Sequence, residues 1–307
     1  MARFHRVAVL MGGPSSEREI SLLSGSAVTE ALRSAGYDAR PVVAGRDCAF
    51  ELPPGTEAVF PALHGAWGED GGAQSALEAL GVPYVGCRPG AAKVSFDKIL
   101  SRAAFATAGV PIPEGAVVRA PGAGGKIPDP PLPFPLVAKP PREGSSVGVS
   151  IVHDASGWPA AVRKAAECDE EILVEKFIAG REWTVPVIGG GEALPVVEIL
   201  PAAGWYDFEA KYSDDAGTRY AFPEFGASPE QAALCRRARE IAVAAYRAVG
   251  GRDLGRIDMR VADDGAVFVL ENNTIPGCTS HSLLPKAAEK AGISFPALCA
   301  RLVEGAA

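Results

Sequence analysis

The 307-residue chain is short of positive charge: 30 lysines and arginines face 37 aspartates and glutamates, for a net charge of −7. Duplex binding calls for a basic face, so nucleic acid is not expected as the main partner. A few cations gathered in a cleft can still hold a small polyanion. Long apolar runs are missing too. No stretch reaches the roughly 18 residues that span a bilayer, and the five apolar residues 7–11 behind Arg3 and Arg6 are too few for an export signal. The six cysteines are scattered, with no C-x-x-C pair, so they read as reduced thiols in a cytoplasmic protein with no membrane contact. Histidine is scarce (His5, His64, His153, His281), and neither H-E-x-x-H nor a zinc spacing occurs. G-x-x-x-x-G-K-[ST] and G-x-G-x-x-G are absent as well, which removes the two commonest nucleotide loops.

What the chain does have is glycine (35) and proline (26), together near one residue in five, with no collagen period or low-complexity tract. Average usage is about 12% for the pair, so the excess predicts many shaped loops on a rigid scaffold. The first third alternates strand and helix: strands at 6–11, 39–43 and 58–63, a helix after Gly12-Gly13, and a short helix ending at Gly81. This pattern predicts a doubly wound parallel sheet with ligands at the carboxyl ends of its strands. The first helix carries an apolar stripe at Ile20, Leu23, Ala27, Val28, Ala31, Leu32 and Ala35. It has a capping box at Ser16-x-x-Glu19 and a stop at Gly36. A helix at 97–108 opens a second unit. The six prolines of 120–135 form a stiff surface loop, followed by strands at 135–140, 146–153 and 171–177 and a helix at 159–166. Beyond Gly180 the clearest helix starts at Ser228-Pro229-x-Gln231 and stops at Gly250-Gly251. The expected units are 1–96, 97–180 and 181–307.

Two strand patterns, 255–262 and 266–273, flank Asp264-Gly265, a two-residue hairpin signal. That turn would face residues whose numbers sum to 529, setting Asp258 opposite Glu271 and Arg256 opposite Asn273 on one face. Ile257, Met259, Val261, Phe268 and Leu270 would form the core face. Asp258, Glu271 and Asn273 offer only oxygen, which suits Mg²⁺ or Mn²⁺. On spacing alone a metal face and a solvated acidic face beside Arg256 stand even. Lys139 followed by the Gly/Ser loop to Gly148 has the makings of a phosphate cradle, although such a loop alone is more often an ordinary turn. A lone loop histidine such as His64 is likewise more often structural.

Seen together, Gly12-Gly-Pro-Ser-Ser-Glu-Arg-Glu-Ile-Ser-Leu22, His64-Gly-Ala-Trp-Gly-Glu-Asp-Gly71, the segment 139–148, Gly180-Arg-Glu-Trp-Thr184, Glu209-Ala-Lys-Tyr212, Gly255-Arg-Ile-Asp258, Glu271-Asn-Asn-Thr-Ile-Pro-Gly277 and Thr279-Ser-His-Ser-Leu283 closely resemble the D-alanine–D-alanine ligases. The resemblance runs from about residue 6 to the C-terminus. It implies an α/β (α+β) ATP-grasp fold behind an N-terminal doubly wound αβ (pre-ATP-grasp) domain. It also implies ATP with Mg²⁺ or Mn²⁺ at two sites, D-alanine as substrate, and a homodimer. In that family ATP phosphorylates one D-alanine, a second attacks the acyl phosphate, and D-alanyl-D-alanine is made for peptidoglycan.

Carried over position by position, the resemblance gives Glu17 and His64 the first substrate's ammonium. Lys98 and Lys139 take ATP phosphates, and Lys211 the transferred one. Glu175, Phe177 and Ile178 frame the adenine, with Glu182 on the ribose. Ser145 and Tyr212 join Glu17 in a network that closes the loops. Arg256 and the Gly277 N–H hold the oxyanion, and Asp258, Glu271 and Asn273 hold the metals. Ser282 and Leu283 receive the second substrate's carboxylate. Tyr212 favours the amide product over the D-lactate ester. The alternatives are another ATP-grasp carboxylate–amine ligase, a D-serine or D-lactate variant, or a nucleotide-binding regulator without catalysis. The chain departs from the family at Ser75, where glycine is usual, and at Asn272, where a small or apolar residue is usual. The hairpin register turns Asn272 toward the core, where an unpaired amide costs about 1–3 kcal/mol.

Overall fold

The apolar run at 7–11 is buried on both sides, as a central parallel strand must be. In the computed structural model, which describes residues 2–122, 125–201, 217–279 and 282–307, it lies within β1 (Arg6–Gly12). β1 sits between β2 (Asp38–Ala44) and β3 (Ala58–Pro61), parallel to both. Val7, Val9 and Met11 face α1 (Arg18–Ser34), while Ala8 and Leu10 face α2 (Gly72–Leu80), so helices cover both faces. The expected doubly wound layout is present.

α1 departs from expectation at its start and along its stripe. It begins at Arg18 with Glu17 as N-cap and no side-chain cap, so the Ser16–Glu19 box does not form. Instead the Ser15 hydroxyl accepts the Glu17 N–H at 3.1 Å, which leaves the Glu17 carboxylate available to another element. The buried face is Ser21, Ser24, Gly25, Val28, Thr29, Ala31 and Leu32, whereas Leu23 is 60% exposed and Ala35 lies on the surface. The apolar periodicity thus marks the helix but not, in its first turns, the side that packs. Its end is as expected: Gly36 (φ 92°) donates to the Arg33 carbonyl and Tyr37 to that of Leu32, a Schellman motif.

A four-stranded antiparallel sheet follows, ordered β4 (Gly115–Arg119), β7 (Glu171–Lys176), β5 (Leu136–Lys139), β6 (Ser150–Val152), with α5 (Trp158–Ala166) packed on it. The strand expected over 146–153 shrinks to three residues because 144–149 turns, with left-handed φ at Ser145 (48°), Ser146 (61°) and Gly148 (72°). The proline-rich segment contains no helix or strand among its described residues, yet it is more than a surface connector. Ile127, Leu132 and Phe134 pack against the core beneath α5, and the Trp158 indole donates to the Pro128 carbonyl at 2.7 Å.

The third sheet runs β11 (Arg219–Ala221), β10 (Val197–Leu200), β8 (Arg181–Ile188), β12 (Leu254–Val261), β13 (Val267–Asn273), with β9 (Glu192–Ala193) beside β8. α3 (Pro89–Phe96) leads to α4 (Lys98–Thr107), capped by the Asp97 carboxylate; α4 and α6 (Pro229–Ala248) share the core of this sheet. Ser228 caps α6 as expected, but the Gln231 amide oxygen accepts from Arg181 instead of closing the box. The last helices, α7 (Leu283–Lys290) and α8 (Phe295–Gly305), pack back against β1 and α1 of the first sheet. All six cysteines are free, and four of them are buried.

The β12–β13 hairpin has the expected pairing at the far end for a different reason. The loop is three residues, not two: Ala262 donates to the Ala266 carbonyl, and Gly265 sits at φ 81° in the left-handed position such loops require. The register near the turn therefore sums to 528, with Val261 opposite Val267. A β-bulge at Leu270 restores 529, setting Asp258 opposite Glu271 and Arg256 opposite Asn273. Between turn and bulge the faces are exchanged, so Val267 and Val269 are buried in place of Phe268 and Leu270. Gly265→Ala is expected to cost about 1–2 kcal/mol, the penalty of a left-handed L-residue. There is room for the methyl group, its nearest neighbour being Arg237 at 3.7 Å, so an unchanged denaturation midpoint would contradict this account of the turn.

Candidate active site

The carboxyl ends of β1 and β3, the 143–146 turn and one face of the β12–β13 hairpin converge on two adjoining cavities, of about 280 and 110 Å³. The larger is lined by Glu17, His64, Lys98, Ser145, Arg256, Glu271, Asn273, Gly277, Ser282 and Leu283. The smaller is lined by Lys98, Lys139, Ser145, Glu175, Phe177, Ile178, Glu182, Asp258 and Glu271. Every candidate residue that is described therefore borders one cavity or both. Lys211 and Tyr212 lie outside the described residues.

Lys98, Glu143, Gly144, Ser145 and Glu271 belong to both linings. At this shared wall the Lys98 ammonium lies 3.1 Å from a Glu271 carboxylate oxygen and donates to the Glu143 carbonyl at 2.7 Å. The Ser145 hydroxyl donates to Glu17 at 2.6 Å, bridging the turn after β5 to the start of α1. Burial raises the Glu143 carboxyl above its ordinary range, against the pull of Lys98. Two consecutive non-glycine residues in the left-handed region, Ser145 and Ser146, hold this turn in a costly conformation of the kind that clusters at functional sites.

In the smaller cavity Glu175 is 2% exposed and forms the centre of a buried triad. Lys139 meets it at 2.5 Å and Arg102 pairs with its other oxygen. Arg260 donates to the carbonyls of Ile178 and Gly180 and reaches Glu182 at 3.4 Å, fixing the segment that carries Phe177. The bulge turns Leu270 out of the core into this cavity. Asp258 is held from two sides: Arg256 forks onto it through Nε and Nη2 at 2.8 and 2.7 Å, and the Thr184 hydroxyl donates at 2.5 Å from the strand position directly opposite.

In the larger cavity His64 is buried, with Nε2 3.1 Å from the Ser24 hydroxyl and Nδ1 3.6 Å from Glu69. Burial raises the Glu69 carboxyl, opposed by His64 and by the Gly65 N–H that it accepts. The Ser282 hydroxyl accepts the Thr279 N–H at 3.0 Å, closing a turn beside Gly277. Asp258, Glu271 and Asn273 share one face, and their donor set of two carboxylates and an amide oxygen fits a hard cation. Among the described residues no group of three His, Cys, Asp or Glu side chains forms a cage, so such an ion would complete its shell with phosphate oxygens or water.

Thr184, Arg260, Leu270, Ser24 and Glu69 escaped sequence reasoning. Ser21 and Ser24 carried a signal, polar residues one turn apart on a helix packed against strand ends; Glu69 meets His64 and Gly65 within one loop, and the remaining three depend on pairing across strands. Of the two departures, the Ser75 hydroxyl donates to the Gly71 carbonyl within α2. Asn272 is 4% exposed; its amide nitrogen donates to Ser95 at 3.0 Å while its oxygen has no partner among the described residues.

Family models for the "D-ala D-ala ligase C-terminus" and "D-ala D-ala ligase N-terminus" match residues 126–304 and 51–87. A D-alanine–D-alanine ligase of Bordetella petrii is 44% identical over 306 residues, covering 98% of this chain and 92% of the relative. The crystal structure of a D-alanine–D-alanine ligase from Bacillus anthracis complexed with ATP superposes with a TM-score of 0.80 at 32% identity, over 99% of this chain and 97% of that one. A D-Ala:D-Ser ligase from Enterococcus faecalis superposes at 0.82 with 28% identity, over 98% and 99% of the two chains. With the fold and both halves of the sequence in agreement, the chain belongs to the D-alanine–D-alanine ligase family.

Proposed function

We propose that the two adjoining cavities divide the work of ligation, ATP in the smaller and two D-alanines in the larger, with phosphoryl transfer at the wall they share. The overall activity, ATP-dependent joining of D-alanine to D-alanine for peptidoglycan, is that of the family. The observation that carries the division of labour is the shared wall of Lys98, Glu143, Gly144, Ser145 and Glu271. A phosphoryl group passing from one cavity to the other would pass along this shared wall.

On this reading Phe177, Ile178 and Leu270 pack the adenine, and Glu175 orients Lys139 toward the phosphates, with Glu182 on the ribose. Lys98 at the wall and Lys211 supply charge to the phosphoryl group, whose transfer depends on alignment and neutralisation. Asp258, Glu271 and Asn273 would hold Mg²⁺ or Mn²⁺, which neutralises phosphate charge when bound. Glu17, tied to Ser145, and His64 orient the first ammonium. Attack by the second amine on the acyl phosphate makes a tetrahedral oxyanion that Arg256 and the Gly277 N–H stabilise before phosphate departs. Ser282 and Leu283, at the start of α7, receive the second carboxylate, and Tyr212 completes the Glu17–Ser145 network.

The unit boundaries 1–96, 97–180 and 181–307 are supported by three sheets, each drawn from one segment. We assign the protein to the cytoplasm, where ATP is available; among the described residues no helix is long and apolar enough to cross a membrane. A homodimer is part of the same reading.

Phosphate release with ATP, Mg²⁺ and D-alanine, compared with D-alanine plus D-serine or D-lactate, tests the function. Release with D-alanine alone, accompanied by D-alanyl-D-alanine, is expected. No release with D-alanine, or release only when D-serine is added, would overturn it.

A further inference from the structure

The face of α1 that packs against the strand ends carries two buried serines where apolar residues would pack as well. Ser21 is plain scaffolding, since it accepts the Gly12 N–H and donates to the Ala62 carbonyl, tying β1 to β3. Ser24, 1% exposed, does something different. Its hydroxyl lies 3.1 Å from His64 Nε2 and 3.4 Å from the Cys278 nitrogen, so one atom touches both the histidine and the loop that carries Gly277.

The direction of these bonds follows from counting hydrogens. The Cys278 N–H can only donate, so the Ser24 oxygen accepts it. The oxygen could accept a second time, from Nε2, but its own buried hydrogen would then have no acceptor among the described residues; donation to His64 Nε2 satisfies it. Nε2 is then the acceptor, and the neutral ring carries its proton on Nδ1, facing Glu69 Oε1 at 3.6 Å. That distance is beyond a hydrogen bond but within reach of the carboxylate's field. The chain of polarity runs Cys278 N–H, Ser24 O–H, His64, Glu69.

We infer that Ser24 is a positioning residue of the ligase reaction, fixing the His64 tautomer and holding the Gly277–Cys278 peptide plane in one orientation. The inference rests on the proposed roles of His64 and Gly277. Through Ser24 the group beside the first substrate and the peptide that follows the Gly277 N–H are tied to a single hydroxyl on a rigid helix. The loop's next nitrogen, Thr279, donates to Ser282, so two consecutive N–H groups of the loop are held by side chains.

Two measurements on the full chain with ATP and Mg²⁺ present test this. With ¹⁵N-labelled histidine only four side chains give signals, and His64→Asn identifies the relevant one. At pH 8 the wild-type His64 should show a protonated Nδ1 and an unprotonated Nε2, and Ser24→Ala should shift it toward the other tautomer. Ser24→Ala should also lower kcat/KM for D-alanine about tenfold, leaving KM for ATP within about twofold, as expected for one lost buried hydrogen bond that acts on the substrate end only. A proton on Nε2 in the wild type, or an unchanged kcat/KM in the variant, would overturn the inference. Were the wild type to release no phosphate with D-alanine, the proposed function would fail, while the tautomer would still decide the Ser24 link.

Discussion

Arg256→Ala is expected to lower kcat by about 100- to 1000-fold, the usual cost of one preorganised oxyanion donor, with ATP affinity little changed. The guanidinium lines the larger cavity, as Gly277 does, and is aimed by its fork onto Asp258, which Thr184 holds in turn. Arg256 is not part of the lining of the smaller cavity, which it meets only through the Asp258 carboxylate that it holds, among the contacts described above. Arg256→Lys separates charge from geometry: lysine keeps the charge but lacks the planar fork, so it too should be slow. Single-turnover phosphate release and nucleotide titration check both. A near-normal rate for the alanine variant would remove Arg256 from the oxyanion site.

The second large effect is on stability. Glu175 is buried between Arg102 and Lys139, so Glu175→Ala leaves two cations without their anion. Breaking such a pair from one side costs about 3–5 kcal/mol, because the surviving charges remain desolvated. At about 2 °C per kcal/mol or more, the melting temperature should fall by about 6 °C or more. Removing a second charge should repair part of this: Glu175→Gln with Lys139→Met should melt closer to wild type, while ATP binding stays weak for want of the lysine. If Glu175→Ala melts like wild type, the triad is not a buried charge cluster.

The sequence is most legible where one segment decides its own shape. β1, Gly36 and the Ser228 cap are all local. It is least legible where a second strand or helix sets the outcome. The Asp264-Gly265 turn is longer by one residue than its dipeptide signals, and the bulge at Leu270 cancels the slip, so the Asp258–Glu271 pairing was reached with two compensating differences. Nothing within 266–273 marks Leu270 as the extra residue; its destination, a cavity wall beside Phe177, exists only once the four-stranded sheet is in place. The apolar stripe of α1 fails for a related reason. Ile20 and Leu23 look out over a cavity, while the serines that periodicity would discard face the strand ends.

Asn272 shows a different limit. Its burial follows from the hairpin register, but its partner, Ser95, sits at the end of α3, 177 residues earlier in the chain.

The return of α8 to the first sheet bears on how the protein is made. Leu298, Leu302 and Val303 belong to the same apolar cluster as Val7, Val9 and Leu32. A tether joins Arg3 to Glu304 through a 2.7 Å hydrogen bond from the Arg3 N–H. On the ribosome, residues 6–96 emerge long before 295–303, so one face of β1 and α1 waits uncovered until then. Such a face invites aggregation. The sheet built around β1 is thus completed only when α8 folds back on it, and truncation within α8 would be felt at β1 and α1.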